Sequence, residues 1–201
     1  MRKALCVGID SYKTANDLFG CVNDANAVKS ALERNGDSAS EKREERLEYD
    51  VFISYSWKDK TYAHKIVQLL EKSGYTVYID YKDYRLDRDN VSKETAQCLI
   101  NQMKRCKGLL HLYSPNASIS KWCPWEVGVF SGIKNFKCAN LPLLDNSLDD
   151  FKKQEYLEIY PYVDYEIIKN TSNYDFWINE NTNKYVRLSE WLNGKEPYSH
   201  D

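Results

Sequence analysis

The stretch Ser120-Lys121-Trp122-Cys123-Pro124-Trp125-Glu126 sets a carboxylate and a thiol between indoles at the head of an apolar run. Proline suits the first position of a helix, where its missing N–H costs nothing. This predicts Cys123 as the N-cap and Glu126 as the third helical residue, against the positive end of the helix. That end favours the ionised carboxylate by about 0.3–1 kcal/mol, while burial by the indoles works against it. A glutamate at this position often folds back onto the N-cap as half of a capping box, but its usual partner is Ser or Thr and here it is Cys123. A carboxylate held ionised in an aromatic frame can stabilise a cationic transition state, such as the oxocarbenium ion formed when an N-glycosidic bond breaks.

Other chemistries lack their residues. The chain has no phosphate-binding glycine loop, and Gly128-x-x-x-Gly132 falls inside the expected helix, where it reads as a close-packing pair. His64, His111 and His200 show no metal spacing, and His111 lies inside a strand, where a core role is the expectation. A serine or cysteine hydrolase would need a paired base that the pattern does not supply. No metal and no bound cofactor are expected.

The elements that must position this stretch alternate. Tyr49 to Tyr55 is too apolar and too short for a surface helix and reads as a buried parallel strand. Asp59 starts a helix in which Ala63, Ile66, Val67 and Leu70 follow helical spacing up to Gly74. Tyr75 to Ile79 is a second strand, followed by a polar loop from Asp80 to Asn90. Asn90 or Ser92 caps a second helix with Ala96, Leu99, Ile100 and Met103 on one face. Gly108 to Tyr113, Trp125 to about Lys134, and Cys138 to Leu144 complete the series as strand, helix and strand. The pattern predicts an α/β fold with a doubly wound parallel sheet. Tyr156 to Tyr162, Tyr174 to Ile178 and Tyr185 to Leu188 have strand composition, with Asn179 to Asn183 as a turn.

In such a sheet, with strand order 2-1-3-4-5, ligands collect at the carboxyl ends of the strands where the winding reverses, between the first and third. Those ends are Tyr55-Ser56-Trp57 and Tyr113-Ser114, and the loop after the third strand runs into Trp122, Trp125 and Glu126. Three of the five tryptophans are thereby directed to one crevice, a place to stack a flat ring.

Composition sets the class. At 201 residues, 42% hydrophobic and 29% charged, with a net charge of -2, the chain is globular and carries no basic field for nucleic acid or an anionic membrane. No apolar run approaches the roughly 20 residues that span a bilayer, and Asp10 comes too early for a secretory signal. A cytoplasmic location is the expectation. The six cysteines have no C-x-x-C pair and read as buried thiols. Residues 1–36 form a strand and helix that cannot close a core alone, 37–48 a charged linker, 49–165 the main domain, and 166–201 a strand-rich extension.

Three motifs in this order resemble the Toll/interleukin-1 receptor (TIR) domain of the bacterial kind. Tyr49-Asp50-Val51-Phe52-Ile53-Ser54-Tyr55 is similar to its first strand, Val77-Tyr78-Ile79-Asp80 to its second, and Ser120 to Glu126 to its third-helix signature. The resemblance implies a flavodoxin-like fold and cleavage of NAD, as substrate, at the nicotinamide–ribose bond, with Glu126 as the catalytic glutamate. It implies a pocket lined by Tyr55, Ser56 and Trp57, with Asp80, Trp122, Cys123 and Trp125 around the substrate, and a loop from Asp80 to Asn90 that covers the site and mediates assembly. The product would be ADP-ribose or a cyclised signal, made by a homo-oligomer in antiviral defence and read by a separate effector protein of caspase-like type. Residues 1–36, through Leu5-Cys6-Val7-Gly8-Ile9-Asp10 and Leu18 to Ala25, resemble the opening of caspase-like proteases and stop before any catalytic residue of that family. A scaffold acting by self-association and a nucleoside-transferring enzyme are the alternatives.

Overall fold

The computed structural model describes residues 48–80, 92–143, 155–169 and 171–200, all within one compact unit. The segment 1–36 expected to be caspase-like, the linker up to residue 47 and the loop from 81 to 90 lie outside the described residues.

Strand β1 (Tyr49–Ser54) is followed by a 3-10 turn at Trp57–Asp59 and helix α1 (Lys60–Lys72). Then come β2 (Val77–Tyr78), α2 (Lys93–Lys104), β3 (Cys106–Tyr113), the single turn α3 (Pro115–Ser118), α4 (Trp122–Ile133) and β4 (Cys138–Pro142). A second 3-10 turn at Glu155–Ile159 leads into β5 (Tyr162–Ile167), β6 (Tyr174–Asn181), β7 (Lys184–Arg187), α5 (Leu188–Leu192) and β8 (Tyr198–Ser199).

One sheet runs β2-β1-β3-β4-β5-β6-β7-β8. Its first five strands are parallel and in the expected order 2-1-3-4-5. The last three join antiparallel, so the strand-rich C-terminal part extends the same sheet, and the expected division at 165/166 falls inside β5. Side chains alternate along each strand, and the two faces are covered by different elements. On one face Phe52, Leu109 and Cys138 meet Val127 and Phe130 of α4 and Leu99 and Met103 of α2. On the other, Gly108 is approached so closely that a Cβ there would lie 2.7 Å from Leu192 and 2.9 Å from Trp191 of α5.

The helical spacing of α1 is realised in full, with Ala63, Ile66, Val67 and Leu70 all buried. Ser92 caps α2, its hydroxyl accepting from the Thr95 N–H at 3.2 Å. Several expectations change. The second strand shortens to Val77–Tyr78. Tyr156 to Tyr162 is a 3-10 turn that only then enters β5, because an aromatic-rich run of this length is read equally well by a tight turn that buries Leu157 alone. The turn between β6 and β7 needs only Thr182 and Asn183, and Asn179 to Asn181 continue the strand. Gly128 and Gly132 pack against nothing, since a Cβ at either meets no atom within 4 Å, so the close-packing reading of that pair does not hold. Among the described residues no helix is long and apolar enough to cross a membrane.

Candidate active site

The Glu126 carboxylate is built from two sides. Helix α4 begins at Trp122, two residues earlier than the proline rule predicts, with Lys121 as its N-cap. The capping group is the Ser120 hydroxyl, which accepts from the Trp122 and Cys123 N–H groups at 3.3 Å each. Cys123 is therefore inside the helix, and Glu126 is its fifth residue, past the reach of a capping box. Its side chain turns to the sheet instead. Ser54, the last residue of β1, donates its hydroxyl proton to Glu126 Oε2 at 2.7 Å, with serine fully buried and glutamate 5% exposed. A hydrogen bond to the charged form favours ionisation, opposing the burial that disfavours it. One carboxylate oxygen is thus fixed to the strand, and the fold sets where the other points.

Cys123 lies beside this pair. Burial first, then the neighbouring Glu126, push its thiol up to about 11, against hydrogen bonds with Ser120 and Ser54. It stays a protonated thiol at neutral pH and shapes the pocket without acting as a nucleophile. On β3, His111 stands in register with Ser54, 1% exposed, and burial pushes it down to about 4 against the Ser54 backbone. It is a neutral imidazole, as a core role requires, although its Nδ1 has no hydrogen-bond partner.

The loops after β1 and β3 are tied together. Asp59 stands at the N-cap of α1, as its position predicts, but makes no capping bond with its side chain. Its buried carboxylate accepts from the Ser114 hydroxyl at 2.5 Å and from Asn116 Nδ2 at 2.7 Å, while Ser114 also accepts from the Ala117 N–H at 2.9 Å and so caps α3. The two walls of the crevice are held at a fixed separation by this one carboxylate.

The aromatic frame divides in two. Trp57 is 51% exposed, with the Lys60 ammonium 4.3 Å from its ring centroid. Trp122 and Trp125 are half-buried, packed edge to face at 5.2 Å and 86°, and both lean on the apolar cluster under α4. They support the helix start, and Trp57 is the indole open to solvent. Tyr55 and Ser56 are buried in the loop directly after β1. Asp80 is half-buried just past β2, on the side of β1 away from β3. Tyr156, in the 3-10 turn, is partly exposed, and burial first, then Cys123 and Tyr113, push its hydroxyl up to about 12.

Sequence reasoning did not mark Ser54, the Asp59–Ser114–Asn116 tie or Tyr156. Ser54 had a signal, being a polar residue at the carboxyl end of a buried strand, in phase with Phe52. Tyr156 had none, since its place depends on the turn that replaced an expected strand. Among the described residues no cluster of three His, Cys, Asp or Glu side chains gathers to hold a metal ion.

Comparison with known proteins gives two kinds of likeness. The sequence pattern of the TIR domain matches residues 51–175. The chain is 40% identical over 188 residues to ThsB' of Bacillus cereus (strain MSX-D12), named a probable 3' cyclic ADP-D-ribose synthase, covering 91% of this chain and 93% of that protein. Among solved structures, it is similar to the TIR domain of the Toll-related receptor TRR-2 from Hydra magnipapillata, at 18% identity and a TM-score of 0.44, over 58% of this chain and 83% of that one.

Proposed function

This chain belongs to the TIR-domain family, and from that premise we propose that it cleaves NAD at the nicotinamide–ribose bond and closes the remainder into a cyclic ADP-ribose. The observation that carries the reading is the buried Ser54–Glu126 hydrogen bond at 2.7 Å, at the carboxyl ends of β1 and β3 where an open α/β sheet takes its ligand.

The chemistry follows from charge. As the C–N bond breaks, its electron pair leaves with the nicotinamide nitrogen, whose own positive charge is thereby neutralised, and positive charge grows on the ribose. Glu126, anchored through Oε2, sets its negative charge beside the ribose and stabilises that charge more in the transition state than in the ground state. Trp57 supplies an exposed ring face for a flat base. Closure needs no added reactant: a nucleophile elsewhere in the same ADP-ribose attacks C1′ and loses a proton. Hydrolysis would use water at the same carbon. The name of the Bacillus cereus relative, with 40% identity over nearly its whole length, supports closure.

Assembly into a homo-oligomer through domain contacts, and a separate effector protein that reads the product in antiviral defence, complete the reading. The deciding experiment incubates NAD with wild type and a folded Glu126→Gln variant and identifies products by mass spectrometry. Loss of nicotinamide release in the variant, with a dehydrated ADP-ribose from wild type, is the expected result. Equal release from both proteins would sink the assignment and leave the scaffold reading.

A further inference from the structure

The face of the sheet that α4 covers over β1, β3 and β4 continues onto β5, β6 and β7. The pairings that carry it are His111 with Asn140, Asn140 with Tyr162, Tyr162 with Asn179, and Asn179 with Tyr185. The opposite face of the extension buries Val163, Phe176, Ile178 and Val186, so this one is not needed for the core. It holds a cleft of about 360 Å³, within the range of small-molecule sites. Tyr162, Asp164, Glu166, Trp177, Asn179 and Tyr185 line it.

Two features give the cleft a chemistry. Its aromatic wall is a corner: the Trp177 and Tyr185 rings meet at 84° with centroids 5.6 Å apart. Trp177 is pinned in place by its indole N–H, which donates to the Glu166 carbonyl at 3.3 Å. Ring faces attract cations, and perpendicular aromatic walls recur where organic cations are bound; in this fold the Arg187 guanidinium already lies 5.5 Å over the Trp177 ring. The floor is a carboxylate short of donors. Asp164 Oδ1 is shut away from solvent and accepts no hydrogen bond, while Oδ2 takes one long contact from Asn179 Nδ2 at 3.3 Å. Glu166, two residues on and on the same face, adds a second negative charge. Lys169 borders the cleft but makes no ion pair with either acid. The β6–β7 register shifts between Asn179 and Asn181 beside the cleft, an irregularity of the kind often found next to binding sites.

Burial and the neighbouring Glu166 both disfavour the Asp164 charge, and Asn in its place would remove that charge at equal size. We propose that this cleft is a second binding site, separate from the Glu126 site, for a small organic cation that carries N–H donors on an ammonium or guanidinium group. The cation meets Asp164 Oδ2 and the Glu166 carboxylate with its N–H groups and the Trp177–Tyr185 corner with its stem.

The test uses the full chain labelled with nitrogen-15, in which the Trp177 indole N–H reports on the cleft and Trp177→Phe identifies its resonance. Agmatine is the probe, and N-butylurea is the neutral counterpart. Agmatine is expected to shift that resonance saturably. Asp164→Asn should weaken its affinity by about tenfold or more, the loss expected for a hydrogen bond to a charged group, and Glu166→Gln should weaken it by a smaller factor. Nicotinamide release from NAD should be the same in wild type and Asp164→Asn. No saturable shift in wild type, equal affinity in both acid variants, or equally tight binding of N-butylurea would overturn the proposal. So would loss of affinity in Lys169→Ala, which would place the rim lysine, not the carboxylates, in contact with the probe.

Discussion

Ser54→Ala removes the hydroxyl that β1 donates to Glu126. The bond is 2.7 Å long between buried partners, and hydrogen bonds to charged groups contribute about 1.5–3 kcal/mol. If Glu126 acts on charge that develops only as the glycosidic bond breaks, the loss falls on kcat, because uniform binding of NAD is unaffected. At 1.36 kcal/mol per tenfold the expected fall is about 10- to 150-fold, with little change in KM. A second consequence distinguishes this role from simple packing. The donated bond favours the ionised carboxylate, so its removal moves the acid limb of the kcat profile to higher pH. Nicotinamide release followed by chromatography across the pH range measures both effects, with a thermal melt to show that the variant folds. A Ser54→Ala enzyme with wild-type kcat and an unmoved acid limb would refute the idea that β1 holds the catalytic group.

Two buried titrations give opposite signs in stability. His111 keeps a neutral ring in the fold down to about pH 4, whereas the unfolded chain takes up its proton around 6.5. Its contribution is complete above 6.5 and is lost as pH falls toward 4, by up to about 3 kcal/mol. Urea unfolding of His111→Leu should therefore show a flatter pH dependence over that window than wild type, and parallel curves would contradict it. Asp164 runs the other way: burial first, then Glu166, raise its carboxyl from 3.8 to about 6. Stability from this group is full below 3.8 and is lost as pH rises through 6. Allowing for the open side of the cleft, Asp164→Asn should be more stable than wild type by about 1–2 kcal/mol at neutral pH, with the difference closing toward pH 4. A less stable variant at neutral pH would show that Asp164 supports the fold.

The sheet was legible because its signals are local. Four apolar residues at helical spacing in α1, a serine placed to cap α2, and short β-rich runs between them determine parallel strands, and the family resemblance orders them. The start of α4 was misread for a reason that is also local. Pro124 fits the first turn at more than one position, and Ser120, two residues before the helix, provides the capping oxygen that Cys123 lacks. What the sequence could not show is tertiary pairing. Ser54 and Glu126 lie 72 residues apart, and Asp59 and Ser114 are 55 apart; nothing in the spacing of either pair predicts that they meet. The C-terminal strands were legible as strands, but not as a continuation of the same sheet, because edge pairing leaves no mark on a single sequence.

The two cross-ties also explain why the site sits where it does. Parallel strands bring their carboxyl ends to one edge, but an open edge fixes neither the distance between the loops nor the direction of a helix that starts there. Asp59 sets the first by accepting from both Ser114 and Asn116, and Ser54 sets the second by holding Glu126 to the last residue of β1. Each tie spends a polar group inside an apolar setting, which is favourable only while both partners stay in place. Loosening β1 against α4 would then release the carboxylate before the core gives way. A change that shifts that contact, such as a bulkier residue at Ser54, should reduce turnover at temperatures where the melt still shows a folded protein.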